Sequence, residues 1–409
     1  MRETTTRRLA SLAVGAMVLP LALTACSSSS SGGSGGSGGG AAAQCGSGAG
    51  VGKPSGGTIK VGFQGPLSGD NQQLGINAVD GMKVAVDQAN KTSGLPYKLE
   101  LVTSDDMGSP DQGPTAAQQL VDKGVVAVVG PMFSGATKAS EPVFCQNGVL
   151  SVSPSATNPS LTSLGFSNFV RVIAPDTVQG KAVADYIVKT QKAKKVFSLD
   201  DKSEYGTGLS SALEPQLRAD GAQVVHDGIN PTKDYTSEAT KVVGENPDVL
   251  YYSGYYAEFA LLAKALKAKG FKGKLMSGDG SNDDQYISQA GADVANGSYL
   301  SCACGDANSD PKAKGFVSQY AALNANAKPG TYSGEAYDAT NALVEVLKGL
   351  GANADRATTL DAYKKVNFNG LTKQVVFQPN GEVQGDAVYI YQVTNGQRKV
   401  LGLTKDLNK

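Results

Sequence analysis

Four loops, each directly after a predicted strand, carry side chains that could bind a ligand. The first, residues 130–137, follows an apolar run that ends at Val129 and opens a predicted helix. A helix N-terminus offers unpaired N–H groups and a positive dipole, and Ser134 adds a hydroxyl donor, so this loop suits a carboxylate. The alternative is that Ser134 is only an N-cap, a position that serine commonly takes.

The second and third loops supply hydroxyl groups and aromatic rings. Residues 153–157 read Ser-Pro-Ser-Ala-Thr, so Ser155 and Thr157 lie in a turn stiffened by proline, where they could bind a ligand or cap their own backbone. Residues 251–256 read Tyr-Tyr-Ser-Gly-Tyr-Tyr. Tyrosine offers an apolar wall with a polar tip, which suits a small amphipathic ligand, although buried core tyrosines would give the same pattern.

The fourth loop, residues 277–284, is acidic. Asp279 lies between two glycines at the end of a predicted strand, which makes it a candidate partner for an ammonium group. A calcium loop is the alternative, but the glycine at the sixth position and the distal glutamate of an EF-hand are missing. No histidine cluster completes a zinc set with the cysteines, so we expect no metal.

Alternating strands and helices must position these loops. Apolar runs of strand length, such as 125–129, alternate with segments of helical apolar spacing, and the series restarts with the predicted helix 176–190. Strands separated by helices of this length predict right-handed βαβ units, and two series predict an α/β fold of two doubly wound parallel-sheet lobes. Ligands bind beyond the carboxyl ends of such strands, where the four loops fall.

Composition excludes several classes of function. The 409 residues carry 37 basic and 37 acidic side chains, so no basic field argues for nucleic acid binding. The single histidine, His226, has no obvious nucleophilic partner, and no nucleophile-elbow or phosphate-loop motif occurs outside low-complexity sequence. We therefore predict that the protein is not an enzyme and uses no cofactor.

The first 57 residues carry export signals. Three arginines precede the apolar run 9–22, which is too short to span a bilayer comfortably and is typical of a cleaved signal. The run ends in Leu-Thr-Ala-Cys, which resembles a bacterial lipobox and implies a signal peptide at 1–25 with lipid attachment at Cys26; a plain secretory signal is the alternative. The Ser/Gly-rich segment 26–57 is predicted to be a disordered tether. The choice between general and twin-arginine export stays open.

Four further cysteines remain: Cys45, Cys145, Cys302 and Cys304. They allow three pairings, and the sequence does not choose among them. The last two, separated by one alanine, could form a local disulfide, a thiol pair or half of a metal site. A structural disulfide among the four is favoured in an exported protein.

In their order and spacing, these loops resemble type I periplasmic binding proteins, in the leucine/isoleucine/valine-binding branch, over about residues 58–403. The resemblance is carried by residues 61–69, 104–106, the Ser134 loop, 153–157, 201–208 and 251–255. It implies two lobes joined by three crossovers near 172–174, 302–306 and 377–384. Lobe 1 would comprise 58–173 with 306–378, and lobe 2 would comprise 174–305 with 379–409.

The resemblance also implies roles for single residues. Ser134 and Thr157 match positions that hold the α-carboxylate of an amino acid, while Ser155 contributes to the α-ammonium and Asp279 lies against it. The matched second-lobe tyrosines that close over the ligand are Tyr205 and Tyr255.

Two positions depart from the family pattern. The family often has an aromatic residue where Leu74 stands. It also often has a cysteine near Phe133 that pairs with one near Gly108, and this chain has neither cysteine. Both Leu74 and Phe133 are expected to line the side-chain pocket, so the side-chain preference stays open.

We accordingly predict a monomeric, lipid-anchored, extracytoplasmic substrate-binding protein. It would capture an amino acid, expected to be branched-chain aliphatic, and deliver it to an ABC permease. The alternative is the same fold binding an amide, urea or an aromatic acid.

Overall fold

The computed structural model describes residues 44–92 and 94–409, so the predicted signal peptide and the lipid-attachment site at Cys26 lie outside the described residues. The strands are β1 Thr58–Gly65, β2 Lys98–Asp105, β3 Ala127–Val129, β4 Leu150–Ser153, β5 Phe169–Arg171, β6 Lys195–Asp200, β7 Gln223–Gly228, β8 Val249–Ser253, β9 Lys274–Ser277, β10 Tyr299–Cys302, β11 Asn367–Asn369, β12 Gln374–Val376, β13 Tyr389–Thr394 and β14 Gln397–Leu403. The α-helices are α1 Gln72–Thr92, α2 Gly113–Asp122, α3 Ser134–Gln146, α4 Asp176–Asp185, α5 Glu204–Ala219, α6 Thr236–Glu245, α7 Tyr256–Ala268, α8 Asp284–Ala290, α9 Ala292–Ala295, α10 Lys314–Leu323, α11 Ser333–Leu350, α12 Arg356–Tyr363 and α13 Thr404–Leu407. Within residues 44–92 and 94–409, no helix has both the length and the apolar character that a membrane crossing needs.

Two sheets organise the molecule. The first has the order β2-β1-β3-β4-β5, and all of its pairs are parallel. The second has the order β14-β13-β10-β9-β8-β6-β7, in which β10 to β7 are parallel and β13 and β14 add an antiparallel edge. The residues of β3, β4 and β8 are buried throughout, as expected for strands covered by helices on both faces. The predicted α/β fold with two parallel-sheet lobes is confirmed.

The chain passes between the two sheets three times. It leaves the first sheet after β5 through residues 172–175, and it leaves the second sheet after β10 through residues 303–313. Both α10 and α11 pack against α1 beside the first sheet, and residues 377–388 then lead to β13 of the second sheet. We call the part built on the first sheet lobe 1 and the part built on the second sheet lobe 2.

Residues 44–57, predicted as the end of a disordered tether, are held against lobe 1, so that part of the prediction is wrong. A disulfide joins Cys45 to Cys145 in the last turn of α3. Further along, the Gly50 N–H donates to the Asp355 carboxylate at 2.8 Å. The composition of this segment predicts disorder, because it has too little apolar surface to bury. The disulfide and the backbone hydrogen bonds to lobe 1 nevertheless hold it in place.

The structure also settles the cysteine pairing that the sequence left open. Its disulfides are Cys45–Cys145, with a sequence separation of 100, and Cys302–Cys304, with a separation of 2. The first ties the N-terminal segment to lobe 1. The second lies at the start of the second crossing between the lobes.

A buried ion pair connects the first and third crossings. Arg171, at the end of β5, is fully buried, and its Nε donates to the Glu382 carboxylate at 2.7 Å beside a second, shorter contact. The same guanidinium donates to the carbonyl oxygens of Ala156 at 3.0 Å and Asn158 at 2.8 Å. These carbonyls flank Thr157, so the ion pair fixes the loop on which that predicted ligand-binding residue lies.

We expect Glu382→Gln to lower the free energy of unfolding by about 3–5 kcal/mol, because it leaves the Arg171 charge buried without its carboxylate. Chemical denaturation measures the change. The matched control is Asp87→Asn, which removes the partner of Lys91 on the surface of α1 and should cost less than about 1 kcal/mol. Equal losses in the two variants would contradict this account of the buried pair.

Candidate functional site

A small cavity lies where loops from the carboxyl ends of the two sheets meet. Its lining residues are Met132, Phe133, Ser134, Ser155, Tyr205, Tyr255, Asp279, Gly280 and Tyr332. Six of the eight residues predicted to bind ligand are among them; Thr157 and Leu74 are not. The cavity measures about 10 Å³, which is room for roughly one water molecule. The structure therefore brings the four predicted loops together around a closed site.

Asp279 is the most heavily hydrogen-bonded group of this site. Its carboxylate accepts from the hydroxyls of Tyr205 at 2.7 Å and Tyr332 at 2.5 Å, and from the Gln179 amide nitrogen at 2.5 Å. Burial raises the pKa of Asp279, and these three donors oppose the rise. Neither Gln179 nor Tyr332 was predicted from the sequence, because an isolated polar residue on a helix or before one has no distinguishing pattern.

A second carboxylate, Asp176, lies at the first turn of α4. It is fully buried, and neither of its oxygens has a hydrogen-bond partner among the described residues. Burial raises its pKa well above the ordinary value, and the negative charge of Asp279 raises it further, while Thr157 and Arg171 act in the opposite direction. The sequence analysis missed this residue, because an acidic side chain at a helix start usually indicates only a favourable helix-dipole contact.

The capping alternatives for the serine loops fare differently. In the 153–157 turn the Ser153 hydroxyl accepts from the Ala156 N–H at 2.9 Å, so the capping alternative holds for that residue. Ser134 is the first helical residue of α3 and Phe133 holds the N-cap position, so the N-cap alternative is wrong; the Ser134 hydroxyl accepts from the Asn158 N–H at 3.2 Å. The Ser155 hydroxyl donates to the Met132 carbonyl of the neighbouring loop. Both hydroxyls therefore join the loops that follow β3 and β4.

Thr157 and Leu74 lie outside the cavity lining. The Thr157 hydroxyl is buried without a hydrogen-bond partner among the described residues, and the Thr157 carbonyl accepts from the Asp176 N–H at 2.9 Å. With Ala78 and Met82, Leu74 lies at four-residue spacing on the buried face of α1, in the apolar core.

Aromatic rings close the cavity from both lobes. Phe133, after β3, stacks on Tyr255, after β8, with ring centroids 4.3 Å apart. The ring of Tyr205 lies 5.2 Å from that of Tyr255. The other three tyrosines of residues 251–256, namely Tyr251, Tyr252 and Tyr256, are buried in the core. Tyr255 therefore fits the interpretation as a wall of the site, and the other three fit the interpretation as core residues.

Polar contacts between the lobes surround the site. The amide of Asn71 donates to Glu258 at 3.1 Å, and the amide of Asn77 donates to Asp283 at 2.8 Å. The Asp283 carboxylate also caps α8, so this residue of the acidic loop has a structural role. In residues 44–92 and 94–409, no group of three or more His, Cys, Asp and Glu side chains could hold a metal ion.

Comparison with known proteins agrees with this geometry. Residues 58–398 match the family described as periplasmic binding protein. A Leu/Ile/Val-binding protein of Rhizobium johnstonii is 35% identical over 343 residues, which cover 83% of this chain and 92% of that protein. A leucine-, isoleucine-, valine-, threonine- and alanine-binding protein of Pseudomonas aeruginosa is 29% identical, with coverages of 82% and 90%.

Solved structures give the same result. The branched-chain amino acid transporter substrate-binding protein of Streptococcus pneumoniae, in complex with isoleucine, superposes with a TM-score of 0.77 at 28% identity, covering 84% of this chain and 99% of that chain. A leucine-binding protein of Thermotoga maritima gives a TM-score of 0.78 at 26% identity, with coverages of 84% and 98%.

The raised pKa of Asp176 predicts a pH dependence of stability. A carboxyl whose pKa is higher in the folded state stabilises that state while protonated, and the stabilisation is lost as the pH rises through the folded-state pKa. Burial also raises the pKa of Glu141 and of Asp201, each to about 7. We therefore expect the free energy of unfolding of the ligand-free protein to rise as the pH is lowered from 8 to about 5.

Asp176→Asn should make this dependence shallower by up to about 1.4 kcal/mol per pH unit between the unfolded-state and folded-state pKa values of Asp176, because the parent carboxyl binds a proton there only in the folded state. Chemical denaturation at several pH values measures the slope. Asp111→Asn changes an exposed carboxylate and serves as the control, for which we expect the slope of the parent protein. An unchanged slope in Asp176→Asn would contradict the raised pKa, because it would show that Asp176 binds the same number of protons in the folded and unfolded states over that range.

Proposed function

We propose a function for this chain on one premise: it belongs to the family of periplasmic binding proteins. Members of this family are solute-binding proteins of ABC transporters and not enzymes. We propose that this protein captures a free amino acid of the branched-chain aliphatic class between its two lobes. It then delivers the amino acid to an ABC permease.

The observation that carries the proposal is Asp279, a buried carboxylate that lines the closed cavity, together with the buried carboxyl group of Asp176, whose pKa the Asp279 charge raises. Two buried negative charges close together are costly, and a bound cation relieves that cost. Three hydrogen bonds already satisfy Asp279 in part, whereas only the Thr157 hydroxyl and the Arg171 charge favour the ionised form of Asp176. The α-ammonium of an amino acid has three donors and one positive charge, which fits both groups.

The α-carboxylate finds its partners in lobe 1. Ser134 opens α3, where unpaired N–H groups and the helix dipole favour a negative charge. Thr157 lies on the neighbouring loop, and its hydroxyl has no partner of normal hydrogen-bond geometry among the described residues. Ser155 of the same loop is proposed to contribute to the α-ammonium site. A zwitterion would thus be held at its negative end by lobe 1 and at its positive end by lobe 2, so its binding favours closure of the lobes.

The side-chain preference rests on the apolar lining. Met132, Phe133 and Tyr255 offer hydrocarbon and aromatic surface, which suits an aliphatic side chain. The Phe133–Tyr255 stack must open for such a side chain, because the closed cavity is only about 10 Å³. Neither an aromatic acid nor urea brings a cation to the two carboxylates, so we favour an amino acid over the alternative ligands.

We further propose that the protein works outside the cytoplasm as a monomer, anchored by a lipid on Cys26. The lipobox-like Leu-Thr-Ala-Cys sequence and the family membership support this location. The Cys45–Cys145 disulfide ties the segment from residue 44 to lobe 1, so the first described residues after the proposed anchor are fixed to the binding body.

Calorimetric titration with the twenty amino acids, amides, urea and aromatic acids tests the ligand class. We expect binding of leucine, isoleucine or valine, and a loss of about 30- to 4,000-fold in affinity for Asp279→Asn, because a buried charge partner of the ammonium is removed. Glu141→Gln is the matched control, since it changes a buried carboxyl that contacts Asn168 away from the cavity. The absence of binding to any amino acid would overturn the proposed function, and full affinity in Asp279→Asn would overturn the role of that residue.

Metabolic labelling with a radioactive fatty acid tests the anchor. We expect the protein to incorporate label and to partition into detergent when expressed in a bacterium, and Cys26→Ser to lose both properties. Cys45→Ser is the control, because Cys45 lies in the disulfide to Cys145 and should not affect labelling. Label retained in Cys26→Ser would place the lipid on another residue, and a parent protein without label would exclude the anchor.

A further inference from the structure

The Cys302–Cys304 disulfide lies at a point where the chain passes from one lobe to the other. Cys302 is the last residue of β10, and the segment 303–313 leads out of the second sheet. Both sulfur-bearing residues are buried, with exposures of 0% and 1%. A cross-link over one intervening residue restrains the backbone of Ala303, and little else, because the ring that it closes is so small.

The restrained residue contacts the ligand site through one side chain. The Ala303 N–H donates to the Gln179 amide oxygen at 3.1 Å. The amide nitrogen of the same Gln179 donates to the Asp279 carboxylate at 2.5 Å. Two successive hydrogen bonds thus connect the Ala303 N–H, next to the disulfide, through the Gln179 amide to the Asp279 carboxylate, which faces the cavity.

The chemistry of a glutamine side chain fixes the direction of both hydrogen bonds. An amide has an oxygen that only accepts and a nitrogen that only donates, so the partner of one atom decides which way the group is turned. The Ala303 N–H can bond only to the oxygen of Gln179, and this directs the Gln179 nitrogen to Asp279. Without that N–H in place, the amide can turn over and present its oxygen to a carboxylate, which is repulsive.

We propose that the Cys302–Cys304 disulfide is a positioning element of the ligand site, which holds the Ala303 N–H so that Gln179 donates to Asp279. This inference rests on the proposed function, since it assigns the disulfide a role in the affinity of that site. The hydroxyl of Tyr391 donates to the carbonyl of Cys304 at 3.0 Å and holds the other side of the segment.

The second disulfide of the protein provides a matched comparison. Cys45–Cys145 closes a loop with a separation of 100 residues, whereas Cys302–Cys304 spans a separation of 2. In the chain-entropy account, stabilisation grows with the length of the closed loop. The first disulfide should therefore contribute mainly to global stability, and the second mainly to local geometry.

The test compares two double variants, Cys302→Ala/Cys304→Ala and Cys45→Ala/Cys145→Ala, by thermal unfolding and by titration with the amino acid that the parent protein binds. We expect the first variant to lose about 10- to 100-fold in affinity, the effect of a hydrogen bond to a charged group, with a small change in Tm. We expect the second to keep its Kd within about twofold and to lose about 5 °C or more in Tm. An unchanged Kd in the first variant would overturn the proposal.

A double-mutant cycle with Gln179→Ala separates positioning from general loosening. If the disulfide acts through Gln179, its removal from a Gln179→Ala background costs no further affinity, since the connecting group is already gone. Additive losses would overturn the proposal, because they would show that the disulfide acts by another route.

Hydrogen exchange tests the same link without any ligand. We expect the Ala303 N–H and the Gln179 side-chain NH₂ to exchange faster once Cys302 and Cys304 are replaced, and to be unaffected by loss of Cys45–Cys145. Unchanged protection would overturn the inference even if the protein binds an amino acid. A protein that binds no amino acid but shows faster exchange would overturn the proposed function and leave the positioning intact.

Discussion

Two buried carboxyl groups, Asp279 in the cavity wall and Asp176 within reach of its charge, set the main physical constraint on this molecule. Charged groups are costly to remove from water, and two of like sign near each other are costlier still. The protein compensates Asp279 more fully than Asp176. Asp279 receives three hydrogen-bond donors, while Asp176 receives none from the described residues. The site is therefore electrostatically incomplete by itself, and a ligand with a positive charge stabilises it more than a neutral one of the same shape.

The fold supplies hydrogen-bond donors to Asp279 by bringing together parts of the chain that are far apart in sequence. Gln179 comes from α4, Tyr205 from α5 and Tyr332 from the residue before α11. The backbone of Tyr332 is left-handed, with φ of 71°, a conformation that is unusual for a bulky residue. Its hydroxyl contact with Asp279 is a physical reason for holding that conformation, since strained backbone persists where the surroundings determine it. The three passages of the chain between the lobes allow residues from both sides to meet at one carboxylate.

The sequence predicts those parts of the site that follow from periodicity. Loops after parallel strands are recognisable because buried strands are continuous apolar runs, and such loops must lie at one edge of a sheet. Hence Ser134, Ser155 and Asp279 could be placed at the site before the structure. Asp176 could not, because its lack of hydrogen-bond partners is a property of the folded packing. Similarly, the Gly-rich segment 44–57 looks disordered by composition, and the Cys45–Cys145 disulfide and the hydrogen bonds to lobe 1 that hold it in place are visible only in the folded structure.

The same electrostatics bear on how the lobes close. Among the contacts that join them around the site, Asn71 to Glu258 and Asn77 to Asp283 are hydrogen bonds to carboxyl groups, worth about 1.5–3 kcal/mol each when those groups are charged. The Phe133–Tyr255 stack adds about 0.5–1.5 kcal/mol beyond its buried area. Against these stands the burial of Asp176, which disfavours its charged form and raises its pKa. A ligand that pairs with the carboxylates in the closed state alone shifts the population toward that state. In this account the unpaired carboxylate makes closure depend on the ligand, because a fully satisfied site would close equally well without one.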